Sequence, residues 1–229
     1  MRLSDIYRKL LNRWKKFRLS PIRVFCLHHV CAEYDVESMN RGDWMQIDEF
    51  KAKVLSLQQD GVEFISLSNA REKLSNDKFR SHRYAILTFD DGYASLKEIL
   101  PWLEGQKIPV TLFINGKYLD GKSYRKNLKE KYLSKEELFA LTSSLIEIGS
   151  HGWEHTDALR MSANEFEQYI VQNIYILFKH PRYIPFHAYT WGRHNELTDS
   201  ILQSKNIIPV YIDGMKNYNN QYIIHRELL

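Results

Sequence analysis

The sequence predicts an α/β protein in which strands and helices alternate to form a barrel-like β/α fold. Seven short, near-continuous apolar segments have the length and composition of buried parallel strands. Periodic polar–apolar segments of helical length lie between them. The chain of 229 residues could hold one large α/β domain or two small ones, and seven alternating strands favour the single barrel. The predicted strands are residues 23–27, 62–67, 84–89, 109–114, 145–149, 183–189 and 207–212.

Four segments between these strands have the apolar spacing of three and four residues that is typical of one buried helix face. They are residues 47–60, 95–106, 134–144 and 162–178. Ser134 and Glu137 have the spacing of a capping box, which predicts that a helix begins there. We expect the charged stretch 116–131 to be a loop insertion and residues 222–228 to be a last extended segment.

The composition is that of an ordinary globular protein, with 44% hydrophobic and 26% charged residues. No run of 18 apolar residues occurs, so the sequence contains no candidate membrane span. Cys26 and Cys31 are the only two cysteines, which argues against a disulfide framework. The N-terminus lacks the apolar core of a secretory signal, and we therefore expect a cytoplasmic protein.

The first 20 residues predict a separate basic amphipathic helix, followed by one domain over residues 21–229. Residues 1–18 hold seven basic side chains and one acid, so the remainder of the chain is slightly acidic despite the total of +4. Leu, Trp and Phe recur every three or four residues on the other face. Such a helix can lie on anionic lipid at the inner face of the cell membrane, or it can pack on the domain, and the pattern fits both equally.

Polar residues with the chemistry of a metal site follow two of the predicted strands. Asp90, Asp91 and Gly92 follow the third strand, and His151 and His155 follow the fifth. In parallel β/α folds the carboxyl ends of the strands meet at one end of the fold. Two histidines and one aspartate suit a divalent metal, and the second aspartate could serve as a general base. Each motif alone is more often a turn or a surface pair, but their shared position favours a metal site.

These residues resemble the polysaccharide deacetylase family, also called carbohydrate esterase family 4. TFDDGY at residues 88–93 is similar to the family's first motif, and SHGWEH at residues 150–155 is similar to its second motif. LHHV at 27–30, FISL at 64–67 and EIGSH at 147–151 are similar to further family segments. The resemblance covers residues 22–228.

The resemblance implies a distorted, incomplete (β/α)7 barrel as the catalytic domain. It also implies hydrolysis of the N-acetyl group of an amino sugar in a glycan. The basic N-terminal helix suggests that the substrate lies at the inner membrane face, as a lipid-linked saccharide of surface-glycan assembly. Carried over by position, Asp90 is the general base, and Asp91, His151 and His155 bind the metal. Zinc is the expected metal because it suits these ligands, and Co²⁺, Ni²⁺ or Mn²⁺ accept the same set. A water bound by the metal is then the nucleophile, and no nucleic-acid partner is expected.

The third motif, AYTWG at residues 188–192, departs from the family's AYPYG, and the arginine that often precedes it is absent. Residues near this motif are expected to bind substrate, together with other residues at the strand ends. These substrate-binding candidates are Tyr189, Trp191, Trp153 and His28.

The resemblance also implies a catalytic acid on the last strand. His225 is the candidate, with His28, His187 and His194 as competitors, and we expect the neighbouring Arg226 to pair with a carboxylate of the site. Two other functions remain open. One is a degenerate relative that binds glycan without turnover, and the other is an O-acetyl esterase using the same site.

Overall fold

The computed structural model describes residues 22–32, 44–75, 82–122, 124–125, 130–215, 217 and 224–229. The predicted N-terminal helix at residues 1–20 lies outside these residues, so the helix and its contact with a membrane remain predictions. None of the helices among the described residues has both the length and the apolar character needed to cross a bilayer.

Among the described residues, seven parallel strands pair in chain order and close into a ring. They are β1 (Ile22–Leu27), β5 (Tyr84–Phe89), β6 (Val110–Ile114), β9 (Ile146–Ser150), β10 (Tyr183–Ala188), β11 (Ile208–Ile212) and β12 (Ile224–Leu228). β12 closes the ring by pairing with β11 on one side and β1 on the other, and β1 pairs with β5 along its whole length. The predicted (β/α)7 barrel is therefore confirmed.

The remaining elements connect or flank the ring strands. The short strands are β2 (His29–Cys31), β3 (Trp44–Gln46), β4 (Glu63–Phe64), β7 (Tyr124–Arg125) and β8 (Glu130–Lys131). The α-helices are α1 (Ile47–Gln59), α2 (Leu67–Ser75), α3 (Leu96–Gly105), α4 (Lys135–Ala140), α5 (Ala163–Leu177) and α6 (Glu196–Ser204). Short 3-10 turns occupy Gly116–Tyr118, Ala158–Arg160 and Thr190–Gly192.

The structure corrects several predicted boundaries. The strand expected at 62–67 is only the two-residue β4, because Leu67 already begins α2; the seventh ring strand is instead β12. The helix expected at 134–144 ends at Ala140, although its capping box at Ser134 is confirmed. Helices α2 and α6 were not predicted. The insertion 116–131 contains a 3-10 turn and the β7–β8 hairpin.

Alternating residues of the ring strands divide the apolar core into two faces. Val24, Ile86, Phe113, Val210 and Ile224 share one buried cluster inside the ring. Their strand neighbours, such as Phe25, Leu87 and Leu112, pack outward with residues of α1 and α3 in a second cluster. A polar residue that faces inward must therefore form its hydrogen bonds with groups inside the barrel.

Candidate metal centre and active site

The turn after β5 presents two adjacent carboxylates through an unusual backbone conformation. Asp91 and Gly92 both have positive φ angles, +70° and +79°. Aspartate tolerates this left-handed region better than most residues, and glycine adopts it freely. A Cβ atom at Gly92 would also lie 2.8 Å from the Ile114 side chain. The Asp90 N–H donates to the Leu27 carbonyl at 2.8 Å, which ties the turn to β1.

The two histidines lie on the loop that follows β9. The His151 N–H donates to the Ile114 carbonyl at 3.0 Å, and the Asn115 amide donates to the carbonyls of His151 and Gly152 at 2.7 and 3.2 Å. Gly152 has a φ of +82°, and a Cβ atom there would overlap the Tyr169 ring. The loop is therefore fixed against the end of β6 and against α5.

Asp91, His151 and His155 form a compact group, named here the Asp–His–His cluster. Asp91 Oδ1 lies 3.3 Å from His151 Nε2 and 3.4 Å from His155 Nε2. The three ligand atoms lie within 4.8 Å of one another. His151 and Asp91 are buried, and His155 is partly exposed toward solvent. The structure thus brings together the three predicted metal ligands.

The hydrogen bonds around this cluster orient its ligand atoms. His151 Nδ1 lies 2.8 Å from the Ala188 carbonyl, and because a carbonyl only accepts, Nδ1 carries the proton. Nε2 then presents a lone pair, and it makes no hydrogen bond with the described part of the chain. The Tyr93 hydroxyl donates to Asp91 Oδ2 at 2.8 Å, while Oδ1 faces the histidines. This donor set fits a divalent metal such as zinc.

The electrostatics of the cluster favour a cation. Burial disfavours the charged form of Asp91, but His151 and His155 outweigh it and hold the pKa of Asp91 well below its usual range. Burial likewise disfavours a charged His151, but Asp90 and Asp91 outweigh it and raise the pKa of that imidazole. Positive charge is therefore stabilised between the three side chains.

The second carboxylate, Asp90, is held by a buried arginine. Arg226 Nη1 and Nη2 donate to Asp90 Oδ1 and Oδ2 at 2.6 and 2.9 Å, and Arg226 Nη1 also donates to Thr88 Oγ1. The Arg226 side chain is fully buried. Burial would raise the pKa of Asp90, yet Arg226 and His151 lower it to about 2, so this carboxylate is ionised. The predicted pairing of Arg226 with a site carboxylate is confirmed.

His28 and Cys26 lie on the other side of Asp90. One ligand atom from each of the three residues lies within 4.8 Å of the others. The Cys26 thiol donates to Asp90 Oδ2 at 3.5 Å. His28 is partly buried and close enough to both aspartates to lower their pKa values. His28, one of the histidines considered as the catalytic acid, therefore lies beside both Asp90 and Asp91.

His225 does not lie beside Asp90 and Asp91, contrary to the expectation that it is the catalytic acid. Neighbouring residues on a strand point to opposite faces, so Arg226 facing Asp90 puts His225 on the outer face of β12. His225 Nδ1 lies 2.9 Å from Asp213 Oδ2, and its ring contacts Tyr211.

The other two histidines that were considered as the acid are held by different partners. His187 is buried with Nδ1 3.0 Å from Ser150 Oγ, and burial lowers its pKa to about 3. His194 stacks on Tyr211 with ring centroids 3.7 Å apart. The hydrogen bond of His187 and the ring contact of His194 are therefore with residues other than Asp90 and Asp91.

The third motif forms a strained turn beside His155. Trp191 has a φ of +62° and is 68% exposed, and its ring centroid lies 5.3 Å from that of His155. Tyr189 is buried instead, and its hydroxyl donates to Asp199 at 2.9 Å. The Tyr189 ring therefore packs between the barrel and its helices and offers no exposed face, and substrate binding by this residue stays a prediction.

Trp153 is partly buried and packs under the start of the insertion. A Cβ atom at Gly116 would lie 3.1 Å from the Trp153 ring, and the Trp153 carbonyl accepts from the Lys117 N–H at 2.8 Å. These contacts hold Trp153 against the start of the insertion, and its expected role in substrate binding stays a prediction. Sequence reasoning missed Tyr93 and Cys26, although both lie within or next to segments that it had singled out.

The fold and the Asp–His–His cluster define a parallel β/α barrel with a candidate metal centre at the carboxyl ends of its strands. The family model described as polysaccharide deacetylase matches residues 77–208, more than half of the chain. The chain belongs to the polysaccharide deacetylase family, which confirms the resemblance.

Individual proteins are similar to this chain in sequence or in fold. The Bacillus subtilis (strain 168) protein named "Putative polysaccharide deacetylase YxkH" is 26% identical over 123 residues, which are 52% of this chain and 41% of YxkH. The chain thus spans about two fifths of this curated relative. IcaB from Ammonifex degensii has a TM-score of 0.75 at 19% identity, over 91% of this chain and 93% of IcaB. The Streptococcus pyogenes deacetylase PplD in complex with acetate has a TM-score of 0.78 at 19% identity, over 91% of this chain and 92% of PplD.

Proposed function

We propose that this protein is a metal-dependent carbohydrate deacetylase that hydrolyses the N-acetyl group of an amino sugar in a glycan or a lipid-linked saccharide. One observation carries the proposal: the Asp–His–His cluster lies beside an ionised carboxylate, Asp90, at the open end of the barrel. Family membership supports the same reaction class. Asp91, His151 and His155 would hold the metal, with zinc as the first choice.

A divalent metal bound there supplies Lewis-acid polarisation of the acetyl carbonyl and makes a nearby water more acidic. Asp90 is the general base and takes a proton from the attacking water. Its low pKa keeps the carboxylate ionised. Oδ2 accepts from both Arg226 and Cys26, whereas Oδ1 accepts from Arg226 and retains a lone pair that can take the proton. Arg226 therefore positions Asp90 without removing its capacity to accept.

His28 is the proton donor in this mechanism. Attack of water on the acetamide carbon is followed by cleavage of the C–N bond, and the leaving amine must gain a proton. His28 is partly exposed and lies beside both aspartates, whereas His225 bonds Asp213 on the outer face of β12. The products are acetate and the free amino sugar.

In this mechanism, the Thr190–Gly192 turn contacts both the reacting acetyl group and the sugar ring. The turn's own hydrogen bonds use the N–H groups of Gly192 and Arg193, so the Trp191 N–H lies outside them. This N–H is the candidate donor to the oxyanion of the tetrahedral intermediate. The exposed Trp191 indole beside His155 offers an apolar face on which a pyranose ring can stack.

Acetate release tests this proposal directly. Purified protein containing residues 1–229, with and without Zn²⁺, is incubated with N-acetylhexosamine oligomers, lipid-linked N-acetyl sugars and O-acetylated oligosaccharides. We expect metal-dependent release from the N-acetyl substrates. Asp90→Asn should bind metal but lower kcat by about 10²–10⁴-fold, and His151→Ala should lose both metal and turnover. Asp48→Asn, on the exposed start of α1, is the matched carboxylate control.

The outcomes separate the three candidate functions. Undiminished turnover by Asp90→Asn would contradict the assigned base. Release from O-acetyl substrates alone would make the protein an esterase. Glycan binding without any release, with metal present at His151 and His155, would favour a degenerate glycan-binding relative.

A further inference from the structure

A second group of potential metal ligands lies next to the Asp–His–His cluster. It consists of Cys26, His28 and Asp90 and is named here the Cys26 group. Cys26 and Asp90 are buried, and the thiol contacts Asp90 Oδ2 at 3.5 Å. His28 Nδ1 is also buried and has no hydrogen-bond partner among the residues that the structure describes. The proposed reaction uses His28 and Asp90 but gives the thiol no role.

The charge around the Cys26 group restricts which ion can bind. The negative charge of Asp90 is already balanced by the buried Arg226, which donates two hydrogen bonds to it. A divalent ion that displaced the thiol proton would add one uncompensated positive charge beside that guanidinium, which is costly at a buried site. A monovalent ion that replaces the proton leaves the net charge unchanged.

The ligand chemistry points to the same class of ion. Thiolate is a soft ligand that selects Cu⁺ among biological monovalent ions, and imidazole also binds copper. Burial raises the pKa of the Cys26 thiol well above its usual range, so the thiol is neutral until an ion with high affinity for sulfur displaces its proton.

We propose that Cys26 and His28 form a binding site for Cu⁺, and that an ion bound there inhibits the deacetylase reaction. Binding forms a sulfur–copper bond, releases the thiol proton to solvent and changes no oxidation state. The inhibitory part rests on the proposed function, because the ion would occupy His28 and remove the thiol donor to Asp90. Cu⁺ and the metal of the Asp–His–His cluster would then occupy adjacent sites with separate ligands.

The binding site is tested by anaerobic competition for Cu⁺ between the metal-free full chain and the chromophoric chelator bathocuproine disulfonate. Wild type should take one Cu⁺ per chain. Cys26→Ser, which keeps a hydrogen-bond donor to Asp90, and His28→Gln should each bind at least ten-fold more weakly. Cys31→Ser is the matched control, because Cys31 is also a buried thiol but belongs to neither group of potential ligands. It should behave as wild type.

Several results would overturn the site: no Cu⁺ taken by wild type, undiminished binding by Cys26→Ser, or loss of binding in Cys31→Ser. Circular dichroism checks that each variant is folded, and Cys26→Ala replaces Cys26→Ser if the latter is not. In the activity arm, Cu⁺ should inhibit the zinc-loaded wild type and Cys31→Ser but leave the rate of Cys26→Ser unaffected. Full activity with Cu⁺ bound would refute inhibition alone. If no substrate is hydrolysed, the competition experiment still decides whether the site exists.

Discussion

The buried pair of Arg226 and Asp90 allows the most demanding test of the structure. Arg226→Met keeps an unbranched side chain of similar length but removes the charge and both hydrogen bonds to Asp90. The carboxylate would then be buried without its main counter-charge. Breaking one partner of such a pair typically destabilises a protein by about 3–5 kcal/mol.

The lowered pKa of Asp90 reflects the same interaction with Arg226. It falls from an ordinary 3.8 to about 2 although burial acts in the opposite direction. That difference alone corresponds to about 2 kcal/mol in favour of the ionised form. Arg226 and His151 must also overcome the effect of burial, so the lowered pKa agrees in direction with a large loss of stability on removing Arg226.

Urea unfolding of the metal-free protein measures this loss through a double-mutant cycle. Arg226→Met should lower the free energy of unfolding by about 3–5 kcal/mol at pH 7. Combining it with Asp90→Asn, which removes the stranded charge, should cost at least about 1 kcal/mol less than the sum of the single variants. The effect of Arg226→Met should also shrink as the pH falls, because the uncompensated Asp90 then takes up a proton. A loss below about 1 kcal/mol, or strict additivity, would refute this account.

Three further predictions address the cluster and its surroundings. Tyr93→Phe removes the hydroxyl that orients the aspartate ligand and should weaken Zn²⁺ binding by about 10–100-fold in a chelator competition. Burial lowers the pKa of His29 from 6.5 to about 4, so the unfolded chain takes up a proton at a higher pH than the folded chain does. As the pH falls from 6.5 to 4, the free energy of unfolding should therefore decrease by about 3 kcal/mol. Urea unfolding of wild type and of His29→Gln over this pH range measures the decrease. Gly152→Ala, at a φ of +82° and against the Tyr169 ring, should cost at least about 2 kcal/mol in urea unfolding and weaken metal binding.

Matched controls accompany these variants. Tyr132→Phe keeps the aromatic stack on Tyr93 and removes no donor to the metal ligand, so it should bind Zn²⁺ as wild type does. Gly105→Ala, near the end of α3 with no atom within 4 Å of the added methyl group, should leave stability unchanged or raise it by up to about 1 kcal/mol. Equal losses in a variant and its control would contradict the local reasons given for each effect.

Local pattern sufficed for the strands that are bounded by polar turns and buried on both faces. β5 begins at Tyr84 and ends at Phe89 as predicted, because its six residues are all buried and a turn follows directly. Helix α2 was missed since its first N–H groups, at Leu67 and Ser68, bond to Glu147 on β9. A start fixed by a residue about 80 positions away leaves no signal in the adjacent sequence.

Some residues of the candidate site could likewise be predicted from local sequence, and others could not. Asp91, His151 and His155 lie in two short motifs whose chemistry is readable without a structure. The choice between His225 and its neighbour Arg226 as the inward residue depends on the register of β12 in the ring, which composition does not determine. The same register brings Arg226 of β12 to Asp90. The arginine that often precedes the third motif in the family is absent from this chain.

The closure of the ring by β12 links the order of synthesis to the chemistry of the site. Asp90 and Arg226 are separated by 136 positions, so a growing chain exposes the acidic turn long before its basic partner leaves the ribosome. Contacts of such long range form late in folding, after the entropic cost of a large loop has been met. A nascent chain that lacks β12 would hold the Asp–His–His cluster but leave Asp90, the proposed general base, without its hydrogen bonds from Arg226. Hydrolytic competence should therefore appear as a single late event, and it would report that the last strand has entered the barrel.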